Sequence, residues 1–351
     1  MQLNVIVTIA LSVLAVFRPR SKFLCILFFI FMWSLWGFNL WNGDYVAYMS
    51  EYDMPTQDTI EIGYQSLCGL LSPWLPFQGF LIIVSAGILS FFCYCGIKYT
   101  HYPALYSLLY FPMFILEFVF LRNYISLTII IYALFRIIYQ NKSIWISIAL
   151  VLIAATVHIF SIYFLPIILL LRVNFEYRSL IIVVIIGSIL ALVVSQTIMS
   201  SSGYLEGKAE YYARSGGNAI SLTTPYHCVV VYIAYVIHSK AKVTSSSMST
   251  CFNKFVKYIV LSLLFIPVYI VLPYAASRSL RMLVVMNIFY YLGLYFYSTK
   301  RTKIFSQLGL LFLLFSIAYM FSIQTFEYVL EPLYHCNLIW GIDLNYQLIS
   351  Y

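Results

Sequence analysis

The stretch Gln78–Ile97 reads QGFLIIVSAGILSFFCYCGI, twenty residues without one charged side chain. At about 1.5 Å per residue, a helix of this length crosses the roughly 30 Å hydrocarbon core of a bilayer. Similar apolar runs recur along all 351 residues, of which 63% are hydrophobic and 9% charged, with a mean hydropathy of +0.91. This composition excludes a soluble globular protein and predicts an all-α, polytopic integral membrane protein.

The apolar runs predict about twelve transmembrane helices. Several are shorter than the roughly 20 residues that a perpendicular helix needs, so we expect some to be tilted or broken. Cations follow the first run and do not precede it, which predicts a retained span with Met1 outside and no cleaved signal peptide. The predicted spans are Leu3–Phe17, Phe23–Leu40, Gln78–Ile97, Pro103–Leu121, Arg122–Tyr139, Ser143–Val157, Ile159–Leu171, Ser179–Gln196, Pro225–His238, Tyr258–Pro273, Arg281–Tyr297 and Ile304–Ile323.

The predicted spans sort the charges between the two faces of the membrane. Fifteen of the twenty lysines and arginines fall on one face, which the positive-inside rule identifies as the cytoplasm. Eleven of the twelve acids fall on the opposite face, with Glu176 as the exception. The cytoplasmic cations are Arg18, Arg20, Lys22, Lys98, Arg136, Lys142, Arg172, Arg178, Lys240, Lys242, Lys254, Lys257, Lys300, Arg301 and Lys303.

Five cations remain at or near the outer face. They are Arg122, Lys208, Arg214, Arg278 and Arg281. A cation that opposes the topology rule needs a local cause, and an anionic substrate is one such cause. The alternative is a salt bridge to an outer acid, for example between Arg122 and the nearby Glu117, while Lys208 and Arg214 are typical of solvated loop surface.

The sequence predicts one membrane domain, 1–351, with functional outer (periplasmic) segments at about 41–77 and 197–224 and in the tail 324–351. The inner loops are short, apart from residues 239–257, whose Ser/Thr-rich part Thr244–Thr250 is predicted to be a linker. With no soluble domain appended, we expect any chemistry at the outer face of the bundle.

Two arginines three residues apart are the strongest candidate anion site. Arg278 and Arg281 share one helical face at the predicted start of the eleventh span, and Arg122 repeats the arrangement at the start of the fifth. A helix N-terminus is already electropositive, so cations there are unfavourable unless an anion lies among them. One guanidinium group can donate to two phosphate oxygens at once, which predicts a phosphate-bearing ligand.

Three residues are candidate general bases. Asp44 and Glu61 flank the first outer segment, and carboxylates at a membrane boundary can remove a proton from a sugar hydroxyl. Either acid can instead be the partner of an outer arginine or lie in a solvated loop. His158 lies between two spans, where an imidazole faces a polar cavity or a partner, so it is either a proton-transfer residue or a buried structural histidine.

Aromatic rings near these acids are weaker candidates for sugar binding. Rings flanked by polar groups stack on the apolar faces of sugars. No group of acids, histidines or cysteines has metal-ligand spacing, so we expect neither a metal nor another cofactor. The candidate sugar-binding residues are Tyr45, Tyr48, Tyr64, Tyr211 and Arg214.

The first outer segment and the fifth span carry a family resemblance. The phrase Asp44-Tyr-Val-Ala-Tyr48, followed by Glu61-Ile-Gly-Tyr64, resembles the opening signature of the EpsG/Wzy family of polysaccharide polymerases. Arg122-Asn-Tyr-Ile-Ser126 is similar to that family's Arg-Gln-x-Ile-Ala segment, with Asn123 and Ser126 in place of Gln and Ala.

Two later segments extend the resemblance over most of the chain. His158, in an Ala-rich span followed by apolar residues and Pro166, resembles the family's histidine segment. Arg278 and the aromatic run Phe289-Tyr-Tyr291 resemble its late arginine region. Each motif is short, and it is their order and topology along the chain that match.

The resemblance implies a GT-C-like membrane glycosyltransferase on the outer face of a bacterial inner membrane. Such an enzyme, an O-antigen polymerase, joins oligosaccharide repeat units carried on undecaprenyl pyrophosphate, needs no metal, and works within membrane lipid beside a chain-length regulator protein. Arg122, Arg278 and Arg281 would then bind the departing pyrophosphate. Glu61 or Asp44, and after them His158, would serve as the base.

Other functions remain open at this point. An O-antigen ligase would share the pyrophosphate site and use a lipid-core acceptor. A lipid-oligosaccharide flippase would carry its cations deep in a central cavity, whereas most of these lie in loops and at span ends. An O-acetyltransferase would need a His–Arg site for an acyl donor, which the sequence does not indicate. No basic soluble segment predicts nucleic-acid binding.

Overall fold

The computed structural model describes residues 2–55, 61–173, 179, 182–190, 193, 224–271, 273–324 and 329–342. Nearly all of these residues are helical, in agreement with the predicted all-α class. The helices are α1 (Leu3–Phe17), α2 (Lys22–Gly37), α3 (Tyr45–Asp53), α4 (Ile62–Leu71), α5 (Phe77–Tyr99), α6 (Pro103–Glu117), α7 (Leu121–Ile138), α8 (Ile144–Val157), α9 (Phe164–Arg172), α10 (182–190), α11 (224–240), α12 (Ser246–Leu261), α13 (Ile266–Val271), α14 (Pro273–Tyr297), α15 (Lys300–Gln324) and α16 (Glu331–His335).

Three short elements complete the described structure. Turns of 3₁₀ helix, Ile159–Tyr163 and Ser262–Phe265, separate α8 from α9 and α12 from α13. Near the C-terminus, β1 (Cys336–Asn337) pairs antiparallel with β2 (Gly341–Ile342).

Four helical segments of the described chain are long and apolar enough to cross a membrane. They are Phe77–Tyr99, Leu121–Ile138, Ser246–Tyr269 and Ser279–Tyr297. Six further apolar helices of 10–17 residues, among them α1, α2 and α6, are shorter than a perpendicular span requires. The membrane character of the chain is therefore confirmed, while the number of twelve crossings stays a prediction.

Two predicted boundaries are wrong. The helix that carries Arg278 and Arg281 begins at Pro273, so neither arginine lies at a helix N-terminus. The predicted linker Thr244–Thr250 is also largely helical, since α12 begins at Ser246 and buries a face that starts with Cys251 and Phe252.

The chain forms two compact units. The first contains Met1–Ile129, Ile153–Ile159 and Leu310–Tyr351, and the second contains Ile130–Leu152 and Phe160–Gly309. In the first unit, α2 packs against α5 and α6 through buried rings, and Trp36 stacks on Tyr124 with 4.9 Å between ring centroids.

The C-terminal hairpin is attached to α2 in the first unit. The side-chain amide of Asn337 donates to the carbonyls of Ser34 and Leu35, each at 2.9 Å. These carbonyls belong to the last turn of α2, where intrahelical donors run out. Asn337 therefore caps the end of α2 and fixes the position of the hairpin.

Aromatic side chains fill the core of the second unit. Phe289 meets Phe135 edge-on at 4.8 Å, and Tyr290 and Tyr291 are fully buried beside it on α14. A Cβ on Gly309 would lie 2.6 Å from the Tyr291 ring, so the glycine permits this close approach. The aromatic run Phe289–Tyr291 is thus packing surface.

Candidate active site

Two short helices organise the segment that was predicted to be an outer loop, 41–77. On α3, Tyr48 and Glu51 are three residues apart and share one face. On α4, Tyr64 lies one turn after Glu61, the residue that precedes the helix. Tyr48 and Tyr64 are buried and meet edge-on at 6.2 Å, so these two faces are brought together.

Arg122 is the cation around which these side chains gather. It is the second residue of α7, which begins one residue before the predicted start of this span. Its guanidinium Nη1 lies 2.8 Å from Glu61 Oε2 and 3.4 Å from Glu51 Oε2. The same group lies 5.3 Å from the Tyr48 ring centre and 5.6 Å from that of Tyr64, which are cation–π distances.

Glu61 joins Arg122 to His158. While one carboxylate oxygen binds the arginine, Oε1 lies 2.5 Å from His158 Nδ1 and accepts from the Ile159 backbone N–H at 3.3 Å. His158 follows the last residue of α8, where the α-helix gives way to the 3₁₀ turn, so backbone donors are available there. Glu61 satisfies one of them and holds the imidazole.

Gly63 leaves room for the contact between Glu61 and His158. A Cβ on Gly63 would lie 2.2 Å from the Oγ1 of Thr156 and 3.0 Å from its backbone carbon. Real Cβ atoms do not approach this closely, so a side chain at position 63 would move α4 away from the last turn of α8. Gly63 therefore permits Glu61 to reach His158.

The cluster is shielded from solvent. The side chains of Arg122, Glu61 and His158 are 15%, 12% and 11% exposed, which strengthens every charge interaction among them. With one positive and two negative charges, Arg122, Glu51 and Glu61 sum to −1.

The hydrogen-bond pattern also sets the tautomer of His158. Glu61 is an acceptor when ionised, so Nδ1 is the protonated nitrogen and Nε2 carries the lone pair. An imidazole held in this way by a carboxylate is the arrangement of a general base with its orienting group. Glu61 itself has both oxygens engaged, by Arg122 and by His158.

The neighbouring tyrosine and cysteine stay neutral. Burial raises the pKa of the Tyr64 hydroxyl well above its ordinary value, and the nearby Cys68 raises it further. Burial likewise raises the pKa of the Cys68 thiol to about 11. The contact between Arg122 and Tyr64 is therefore of the cation–π kind, and Cys68 is not an activated nucleophile.

Asp44 and Tyr45 lie at the start of α3. Asp44 precedes the helix, and its backbone N–H is bound by the Asn42 side chain at 3.1 Å. Helical spacing puts Asp44 on the same face as Glu51, about 10 Å away along the axis. The Tyr45 hydroxyl donates to Gln78 at 3.0 Å, so this ring is held against α5.

Glu117 does not form a salt bridge to Arg122, the pairing given above as an example of the alternative to an anion site. Its carboxylate, 1% exposed at the end of α6, accepts from the amide of Asn123 at 2.8 Å, and Arg122 pairs with Glu51 and Glu61. The side chain at position 123, where the family resemblance would place Gln, thus fixes a buried carboxylate beside the site.

The remaining predicted site residues lie elsewhere in the chain. Arg281 lies on α14 in the second unit, with 8% of its surface exposed. Arg278 is one turn earlier on that helix, and its side chain lies outside the described residues. Tyr211 and Arg214 belong to 201–223, also outside them.

Glu51 is a site residue that sequence reasoning missed. The available signal was its spacing from Tyr48, because residues three apart on one helix reach the same neighbour. This spacing is informative only within a helix, and the sequence predicted an outer loop here.

The second unit holds a buried polar chain that the sequence did not indicate. Ser262 donates to the Ile259 carbonyl at 2.6 Å and therefore accepts from His227 Nε2–H at 2.8 Å. His227 Nδ1 then accepts from the Tyr269 hydroxyl at 2.6 Å, which in turn accepts from Ser279 at 2.5 Å. Ser279 lies on α14 between Arg278 and Arg281.

Residues 22–334 match the model of the family described as the EpsG family. The match covers more than half of the chain and contains Glu51, Glu61, Arg122, His158 and Arg281. No curated protein and no solved structure is significantly similar to the chain.

Proposed function

Since this chain belongs to the EpsG family, of polysaccharide polymerase-type membrane proteins, we propose that it is a glycosyltransferase that joins lipid-linked oligosaccharide repeat units. The donor would be a growing glycan on undecaprenyl pyrophosphate, and the acceptor a single lipid-linked unit. In this reaction the energy is supplied by the donor's own pyrophosphate leaving group.

The observation that supports this function is the chain of contacts from Arg122 through Glu61 to His158. His158 Nε2 would take the proton from the attacking acceptor hydroxyl, whose oxygen forms a bond to the donor's anomeric carbon. The bond from that carbon to the pyrophosphate oxygen breaks, and the pyrophosphate leaves with the electron pair. Glu61 would stabilise the imidazolium that forms, as carboxylates do in other His-based sites.

In this scheme Arg122 positions Glu61 and does not bind the pyrophosphate. Its guanidinium is already surrounded by two carboxylates and two rings, and the net charge of the group is negative. A pyrophosphate would meet repulsion there. We assign Arg122 to fixing the carboxylate that orients the base.

Arg278 and Arg281 are the proposed ligands of the pyrophosphate. Their spacing of three residues on α14 lets both point to one object. Fixed cations that meet charge as it develops on a leaving group are among the strongest contributions to catalysis. The scheme needs no metal, since guanidinium groups supply the positive charge.

The distribution of cations supports a location in a bacterial inner membrane with the site facing the periplasm. Fifteen of the twenty Lys and Arg residues lie in segments that the topology assigns to the cytoplasm. A chain-length regulator and membrane lipids are the expected partners.

A deletion strain tests the proposed function. Without a polymerase, the surface polysaccharide on a gel should collapse to a single repeat unit, and the intact gene should restore the ladder. An unmodified lipid core would indicate a ligase or a flippase instead, and full-length chains lacking acetyl groups would indicate an acetyltransferase. Complementation with a His158→Gln variant at equal expression should leave the single repeat unit.

A further inference from the structure

Gln65 is a buried amide whose hydrogen-bonding groups are unused. Its side chain is on α4 and the residue is 7% exposed. Within the described part of the chain, neither Oε1 nor Nε2 has a hydrogen-bond partner. Leaving a buried amide unpaired destabilises the folded state, so such a group calls for an explanation, and ligand binding is one.

The position of Gln65 relates it to the acid–base cluster. Glu61, Tyr64, Gln65 and Cys68 have the spacing i, i+3, i+4 and i+7, which defines one face of a helix. Glu61 holds His158, and Tyr64 packs on Arg122. Gln65 therefore lies on the face of α4 that carries the cluster, one turn from Glu61.

We propose that the amide of Gln65 binds the acceptor sugar next to the hydroxyl that reacts. This inference rests on the proposed function. Nε2 donates to one hydroxyl of the sugar and Oε1 accepts from its neighbour, so that a pair of adjacent hydroxyls satisfies both groups.

The chemistry of the amide selects the acceptor sugar over the donor pyrophosphate. A pyrophosphate carries acceptors only and would leave Oε1 facing negative oxygens. A sugar diol offers donors and acceptors side by side. Because His158 must touch the acceptor hydroxyl, a group one turn from the residue that holds His158 is placed to choose which hydroxyl is presented.

The test replaces Gln65 by methionine, which has a similar length and no amide. The purified protein is assayed with the undecaprenyl-pyrophosphate-linked repeat unit as donor and with the repeat-unit oligosaccharide on an alkyl glycoside. The alkyl glycoside has no pyrophosphate and acts only as acceptor. We expect the acceptor KM to rise about tenfold or more, as for the loss of two hydrogen bonds, with the donor KM unchanged and the Tm unchanged or higher.

Gln78→Met is the matched control. The amide of Gln78 is in the same unit and is satisfied, since it donates to the Gly37 carbonyl at 2.6 Å and accepts from Tyr45 at 3.0 Å. Its replacement should lower the Tm and leave the acceptor KM as it was. Gln65→Met should thus raise the acceptor KM without lowering the Tm, whereas Gln78→Met should lower the Tm without raising the acceptor KM.

Several outcomes would overturn the inference. An unchanged acceptor KM in Gln65→Met, with an unchanged or higher Tm, would make the amide a tolerated defect. A lower Tm, or misfolding of both Gln65→Met and Gln65→Leu, would make it a structural group. If the wild-type protein transfers no sugar at all, the proposed function fails first, and this result is distinguishable from a functional enzyme that is indifferent to position 65.

Discussion

Replacing Glu61 by glutamine should abolish turnover while preserving the shape of the site. Glu61 accepts from Arg122 on one oxygen and from His158 on the other. An amide can serve only one of them as an acceptor, because its NH₂ group must face the other. If the NH₂ faces Arg122, two donors oppose each other. If it faces His158, the imidazole is driven to the tautomer with its proton on Nε2, which cannot take a proton from the acceptor.

The expected loss follows from this change of tautomer. Replacing the orienting carboxylate of a histidine base by its amide lowers turnover by about 10⁴-fold in the Ser-His-Asp enzymes, chiefly through the wrong tautomer. We expect a decrease of about 10³- to 10⁴-fold in kcat for Glu61→Gln, equivalent to roughly 4–5 kcal/mol of transition-state stabilisation. The donor KM should change by less than about threefold, since the proposed pyrophosphate ligands are not altered.

The assay measures kcat and both KM values with purified protein, lipid-linked donor and alkyl glycoside acceptor. Asp53→Asn is the matched control, because Asp53 is an exposed acid at the end of α3 outside the three ion pairs formed among the described residues. It should retain near wild-type turnover. A Glu61→Gln enzyme with kcat within threefold of wild type would refute the role assigned to Glu61 and pass the search for the base to Asp44.

Further substitutions test the site, the arginines and the topology. Gly63→Ala should reduce both activity and Tm, because its Cβ would lie 2.2 Å from Thr156 Oγ1; normal values for both would show that α4 has room to shift. Arg278→Ala and Arg281→Ala should each abolish polymer formation with folding intact, and lysine at either position should restore little activity. The reason is that losing one such contact costs on the order of 3 kcal/mol, about a hundredfold in rate. Wild-type polymer length from both alanine variants would show that the two arginines have a structural role only. Ser246→Cys, in a chain without its native cysteines, should not react with a membrane-impermeant thiol label in intact cells. Labelling at this position would contradict the predicted cytoplasmic location of residues 244–250.

The sequence predicted those features that depend on local composition. The bounds of α1 are as predicted, and α7 begins one residue before the predicted start at Arg122. Apolar runs predict these helices because the backbone polar groups of a segment in lipid must be satisfied within the segment itself. The family was also predicted, from short motifs in the right order.

The remaining parts depend on contacts between distant residues. Nothing local in the sequence told whether Arg122 would pair with Glu117, five residues away, or with Glu51 and Glu61. The choice is made by the folding of α3 and α4, two helices of 9 and 10 residues that are too short to be recognised by periodicity. The identity of the partner of His158 was inaccessible for the same reason.

The separation of 97 residues between Glu61 and His158 also determines when the site can form during synthesis. At about 5–20 residues per second, the ribosome needs roughly 5 to 20 s to extend the chain from one residue to the other. Glu51 and Glu61 are made first, Arg122 reaches them next, and the imidazole arrives last. Both acids must therefore stay hydrated until α7 has been inserted. A chain that stops before residue 158 would carry Glu61 beside Arg122 without the imidazole that Glu61 holds in the complete site.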